Sequence, residues 1–268
     1  MGGLLRSIGI AVALACALPC ALAAPSARAA RAAAAVPPPP LVLDHAWIAV
    51  KPGAPERRAL ERAGFRINPA VNRHDGQGTA SITVEFENGF LELLWPDDSV
   101  PVSPELMAAK AKFVARSNWR EDDWSPFAVG FRRTAATPAS FPFETWNVTA
   151  DWMGAGRSIE MLTPRASHGV SLFIPVNGVD EAANLAAIRA GGPGAAIFRH
   201  PNGARRLTAL RIISPTAAGL PPAAEYIRTA GAAGLDEGRA WLMEVTLDHA
   251  AQRRTADLRP DLPLMIHY

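Results

Sequence analysis

Two glutamates and a histidine are the residues whose types and spacing most suggest chemistry. Thr79 to Glu87 alternates, with Ile82, Val84 and Phe86 on one face and Thr83, Glu85 and Glu87 on the other. Asn88-Gly89 then reads as a two-residue hairpin turn, and Phe90 to Trp95 as the returning strand. In that register Glu87 pairs with Phe90, Phe86 with Leu91, Glu85 with Glu92 and Val84 with Leu93. Side-by-side carboxylates repel unless they meet water, a shared proton, an arginine or a metal cation. A solvated face would also tolerate them, but Phe90 and Leu94 share it, which suggests a cavity wall. On an earlier strand, His45 is expected on the face of Leu43, Trp47 and Ala49. Alone it also fits a core residue. Together with Glu92 it suits a Zn, Fe, Mn or Ni ion.

The elements that must position these groups alternate between strand and helix. Leu41 to Val50 reads as a buried strand. Pro55 to Ala63 reads as a short helix stopped by Gly64, and Phe65 to Val71 as extended. With the hairpin, this first unit is βαβββ. Pro104 to Val114 is amphipathic, and strand-like segments follow at 127–132, 145–149, 158–162 and 170–176. A helix is expected over 180–190, then strand 206–213, helix 222–230, and strands 241–247 and 264–268. The pattern is three rough cycles of strand, helix and strands. An unrelated α+β fold would share the alternation.

Leu43-Asp44-His45 (in LDHAWIAV), Arg73-His74 with Gly78-Thr79 (in RHDGQGT) and Leu91-Glu92-Leu93 (in FLELL) resemble the glyoxalase-like branch of the vicinal-oxygen-chelate superfamily. The clear part covers residues 41–95, and weaker parts cover 200–213 and 263–268. The resemblance implies an α+β fold in which repeated βαβββ modules form curved, mostly antiparallel sheets around a metal site. The ligands would be a first-strand histidine and a last-strand carboxylate from each module. His45 and Glu92 match that pair. His74 and Thr79 match a loop motif, with Ser81 where it usually has Asn. Aligning Ile212 with Ile48 places Ala209 where a second histidine belongs. Superposing Ile266-His267-Tyr268 on Leu91-Glu92-Leu93 makes His267 the late candidate. The implied set is His45, Glu92 and His267 around a divalent cation, with no residue for a fourth position. His74 or Glu85 would move a proton, and Thr79, Trp47 and Phe90 would contact a small-molecule substrate.

Arg6 followed by the apolar run Ile8–Leu22 and Ala21-Leu22-Ala23 reads as a cleaved secretory signal over 1–23. Residues 24–40 read as an Ala/Pro-rich linker, and 41–268 as the glyoxalase-like region, with modules at 41–95, about 124–176 and about 204–268. Both cysteines, Cys16 and Cys20, fall in the signal, so the exported part would carry no thiol chemistry. The formal charge of +2 becomes about −1 from Leu41 onward, which argues against nucleic acid or an anionic membrane as partner. His168 and His200 lie in turn-rich loops and are expected to be exposed. Leu247-Asp248-His249 repeats the letters of Leu43-Asp44-His45, but too little chain follows for another full module. Two functions remain. One is an exported metal-dependent lyase, isomerase or dioxygenase acting on adjacent oxygens. The other is a metal-free protein that binds or sequesters a small molecule on the same fold. Outside the cytosol glutathione is scarce, so a detoxifying glyoxalase is the less expected enzyme.

Overall fold

The computed structural model describes residues 38–268. The expected signal, and all of the expected linker except residues 38–40, lie outside the described residues. The first unit runs β1 (Leu41–Ala49), α1 (Arg57–Arg62), β2 (Asn72–His74), β3 (Thr79–Phe86) and β4 (Gly89–Pro96). After α2 (Met107–Ser117) come β5 (Phe127–Arg133), β6 (Trp146–Val148), β7 (Ile159–Met161) and β8 (Ser171–Ile174). These eight strands form one sheet in the order β2-β3-β4-β1-β5-β8-β7-β6. Its centre is the antiparallel pair β1 and β5, each with a parallel neighbour, β4 and β8. The order therefore reads outward alike on both sides, although a loop, not a helix, joins β5 to β6.

Helices α3 (Glu181–Ala190) and α4 (Pro193–Ala196) lead to β9 (Leu207–Pro215), α5 (Ala223–Thr229), β10 (Gly234–Gly238), β11 (Leu242–Leu247), β12 (Thr255–Asp257) and β13 (Leu264–His267). These last five strands form a separate sheet, β10-β9-β11-β13-β12. It repeats the central pattern in shortened form: β9 and β11 antiparallel, with β10 and β13 as their parallel neighbours. The fold is α+β, built of curled, mostly antiparallel sheets. Strands β10 and β12 carry too few apolar residues to announce themselves in the sequence.

The two sheets share one core. Ile82, Val84, Phe86, Leu91 and Leu93 pack with Ala59 and Leu60 of α1 and with Leu210, Ile212 and Val245 of the second sheet. The opposite face of the eight-stranded sheet carries a smaller cluster of Trp47, Ala49, Leu94, Ala128 and Phe173. Strand β1 is thus buried on both faces, which is why its sequence is almost continuously apolar.

Two registers differ from expectation. The β3–β4 turn is Glu87-Asn88, so Phe86 pairs with Gly89, Glu85 with Phe90, and Thr83 with Glu92. The glutamates are diagonal, not opposed. The Asn88-Gly89 pair is used for docking. Asn88 donates to Leu207 O at 2.7 Å and accepts from Leu207 N at 2.9 Å, tying the hairpin to the second sheet. Gly89 lies against β1, where a Cβ would come within 2.6 Å of Asp44 O. In β1 the pairing with β5 shifts between Leu43 and His45. This bulge sends Leu43 to the main core while His45 and Trp47 stay on the opposite face.

Candidate functional site

On the face opposite the main core lies a cavity of about 340 Å³, walled by β1, β2, β3, β4 and β8. It gathers six of the residues singled out from sequence: His45, Trp47, His74, Glu85, Phe90 and Glu92. Alternation puts them there. Trp47 lies beside Glu92 and His45 beside Phe90 in the β1–β4 register, while Thr83 and Glu85 continue the same face on β3.

The bulge brings the Asp44 and His45 side chains together. His45 Nδ1 is hydrogen-bonded to the fully buried Asp44 carboxylate. The other Asp44 oxygen accepts from Val179 N at 2.7 Å and lies 3.2 Å from Arg132 Nε. That nitrogen is poorly aligned to donate, so the arginine acts chiefly through its charge. The ring is stacked on Phe90 at 4.1 Å and meets the edge of Phe173 at 5.2 Å. Gly130 leaves room for it, because a Cβ there would stand 3.0 Å from His45 Cε1. With Nδ1 as the donor to a carboxylate, Nε2 carries the lone pair.

His74 is held by a relay. Trp152 Nε1 donates to Gln77 Oε1 at 3.4 Å, which fixes the amide so that Nε2 donates to Thr79 Oγ1 at 3.0 Å. The Thr79 hydroxyl then donates to His74 Nδ1 at 2.9 Å. This assignment leaves the His74 proton on Nε2, 3.9 Å from Glu92 Oε1 and beyond hydrogen-bond range. Burial pushes the His74 pKa below its ordinary value, while Glu92 and then Asp75 oppose the shift. His74 is a neutral donor at pH 7. Glu92 is buried, and neither of its oxygens has a hydrogen-bond partner among the described residues. Glu85 sits toward the rim, accepting from Thr83 Oγ1 at 2.6 Å and Asn68 Nδ2 at 3.3 Å.

Three expectations need correction. Thr79 is fully buried and orients His74; it does not wall the cavity. His267 lies on β13 in the other sheet, hydrogen-bonded to Thr255 Oγ1 at 3.0 Å. The superposition that nominated it requires the last module to face the same site as the first, and β13 belongs to the other sheet. His200 is buried: it accepts from Arg66 N at 3.0 Å and donates to Glu85 O at 2.9 Å, clamping the loop before β9 onto β3. Asp248 is likewise structural, accepting from Arg205 N and Arg206 N.

The metal set read from the resemblance is therefore not assembled. Among the described residues no group of three or more His, Cys, Asp or Glu side chains is arranged to hold an ion. The His45 bond to Asp44 leaves Nε2 free, but the third expected ligand is in a different sheet. An open catalytic metal site needs three protein ligands.

Sequence reasoning missed Asp44, Gln77, Phe173 and, beside the cavity, Arg116. Only Arg116 carried a clear signal: it follows Ala109 and Phe113 at helical spacing, an arginine on an inward face.

Two βαβββ-like units joined antiparallel through their first strands, with a polar cavity on one face, define the vicinal-oxygen-chelate class. A family model described as a glyoxalase-like domain matches residues 43–226, and the chain belongs to that family. The match covers the eight-stranded sheet except Leu41 and Val42 of β1, and ends within α5. No curated protein and no solved structure matches the chain.

Proposed function

We propose that this chain is an exported glyoxalase-like protein that binds a small, partly apolar molecule in the cavity and moves a proton on it through His45, without a resident metal. The observation that carries the reading is the Asp44–His45 pair. A buried carboxylate on Nδ1 fixes the tautomer and the ring orientation, and its charge faces the imidazolium formed when Nε2 takes a proton. Arg132 places its positive charge 3.2 Å from the other Asp44 oxygen. For a carbon acid beside a carbonyl, His45 Nε2 takes the C–H proton and the electron pair moves to the carbonyl oxygen. The Nε2–H of His74 is the donor suited to that oxygen. Glu92 accepts from a substrate hydroxyl or amine, and Phe90 and Trp47 bound the apolar part. Export rests on the N-terminal sequence and is tested by finding the processed chain outside the cytosol.

Exchange of substrate C–H for deuterium tests the reading. Chelator-treated protein is incubated in D2O with a panel of 2-oxo acids and 2-hydroxy ketones, and the exchange is followed by proton NMR. The expected outcome is exchange by the wild type that is lost in His45→Gln. Exchange that requires added Zn, Mn or Ni would overturn it. The second reading, sequestration without turnover, is favoured by the aromatic enclosure of the His45 ring. Tight binding with no exchange would establish it.

A further inference from the structure

The cavity has a second lobe. A space of about 170 Å³ adjoins it under α2 and shares Trp47, Gln77, Ile159 and Phe173 with the His45 lobe. Its walls are largely apolar, with Phe113, Trp146, Ile159 and Met161 among them. Arg116 also lines it and is only 5 % exposed. The guanidinium donates to Ser125 O at 2.5 Å, Gly169 O at 3.1 Å and Ser171 Oγ at 2.9 Å. It lies over the Trp47 and Trp124 rings at 5.8 and 5.5 Å. All of these partners are neutral, and among the described residues Arg116 has no carboxylate partner. Burial lowers its pKa to about 10, so it stays charged at neutral pH. Lys112 and Arg165 are also in the lining, which contains no aspartate or glutamate.

A buried charge is costly unless a counter-charge joins it. Carbonyls and aromatic faces hold this guanidinium in place without neutralising it, and three of its five N–H donors are used. We infer that the second lobe is a carboxylate-binding subsite, and that the ligand is an organic acid whose apolar or aromatic body spans from Arg116 to His45. A cavity of about 150 Å³ accepts a benzene ring, so the lobe fits one ring. The inference deepens the proposed function, and rests on it for the reacting end of the ligand only.

The test uses tryptophan fluorescence and calorimetry on the full exported chain, with phenylacetate and 3-phenylpropionate as probes and their neutral amides as controls. The acids bind the wild type at least about tenfold more tightly than the amides, the scale of charge-assisted hydrogen bonds in a dry site. Arg116→Met removes that preference, so that acid and amide bind alike. Lys112→Ala with Arg165→Ala weakens the acids less. Should Arg116→Met fail to fold, the acid-to-amide comparison on the wild type decides alone. Equal binding of acid and amide, or no saturable binding of either acid, overturns the inference. His45→Gln separates the two readings: it keeps acid binding while losing exchange. Wild-type exchange on 2-oxo acids that is undiminished in Arg116→Met would leave the proton-transfer reading standing and this one refuted.

Discussion

Asp44 and His45, neighbours in the chain, form a buried hydrogen-bonded pair because β1 carries one extra residue against β5 at that point. On a regular strand their side chains would point to opposite faces. The bulge turns a sequence adjacency into an acid–histidine dyad at the cavity wall. Replacing Asp44 by Asn keeps the shape and removes the charge. Exchange activity should fall about 100-fold, and stability by about 3 kcal/mol, because Arg132 loses its buried partner. Steady-state rates and urea unfolding check both.

Gly130→Ala tests whether the ring position of His45 matters. The added methyl would meet His45 Cε1 at 3.0 Å and Phe173 Cζ at 3.1 Å. The fold should survive with a loss of about 1–3 kcal/mol. The His45 ring is displaced, so exchange should fall by more than the lost stability explains. Activity measured on fully folded variant checks this.

Asn88→Ala should loosen the second sheet from the first. It removes a donor to Leu207 O and an acceptor from Leu207 N. The expected cost is about 1–3 kcal/mol. Hydrogen exchange should report faster opening in β9 than in β1, since Leu207 heads β9 while β1 stays paired on both sides.

Acid should destabilise the protein through its buried histidines. The pKa of His200 is lowered chiefly by burial; the Glu85 carbonyl opposes this, and Arg66 reinforces it. His74 is lowered chiefly by burial too. A histidine depressed in the folded state binds protons more readily when unfolded. Its contribution is therefore present above the unfolded value of about 6.5 and is lost as pH falls through the folded value. The melting temperature should drop on going below about pH 6.5. His200→Asn should be less stable at neutral pH and show a flatter acid limb in calorimetry.

Much of this architecture was legible in the sequence, for identifiable reasons. Alternation in Thr79–Glu87 and Phe90–Trp95 placed Glu85, Phe90 and Glu92 on one face whichever even shift the turn took, because strand faces repeat every second residue. That parity survived a turn displaced from Asn88-Gly89 to Glu87-Asn88. The displacement itself was not legible: Asn88 and Gly89 serve Leu207 and Asp44, contacts made across long sequence separations. The bulge at Asp44 was hidden because both faces of β1 are buried, so no alternation marks the change of side. His267 misled because a matching tripeptide says nothing about which sheet holds it.

His45 presents a free Nε2 lone pair, set by Asp44, to a cavity whose described residues do not assemble a metal site. Long-range nitrogen–proton correlation NMR of the imidazole rings, recorded with and without one equivalent of Zn or Mn, tests it most directly. The expected result is a His45 ring with its proton on Nδ1, altered in Asp44→Asn and unmoved by either metal. A ring protonated on Nε2, or His45 and Glu92 signals that shift or broaden together at stoichiometric metal, would contradict it.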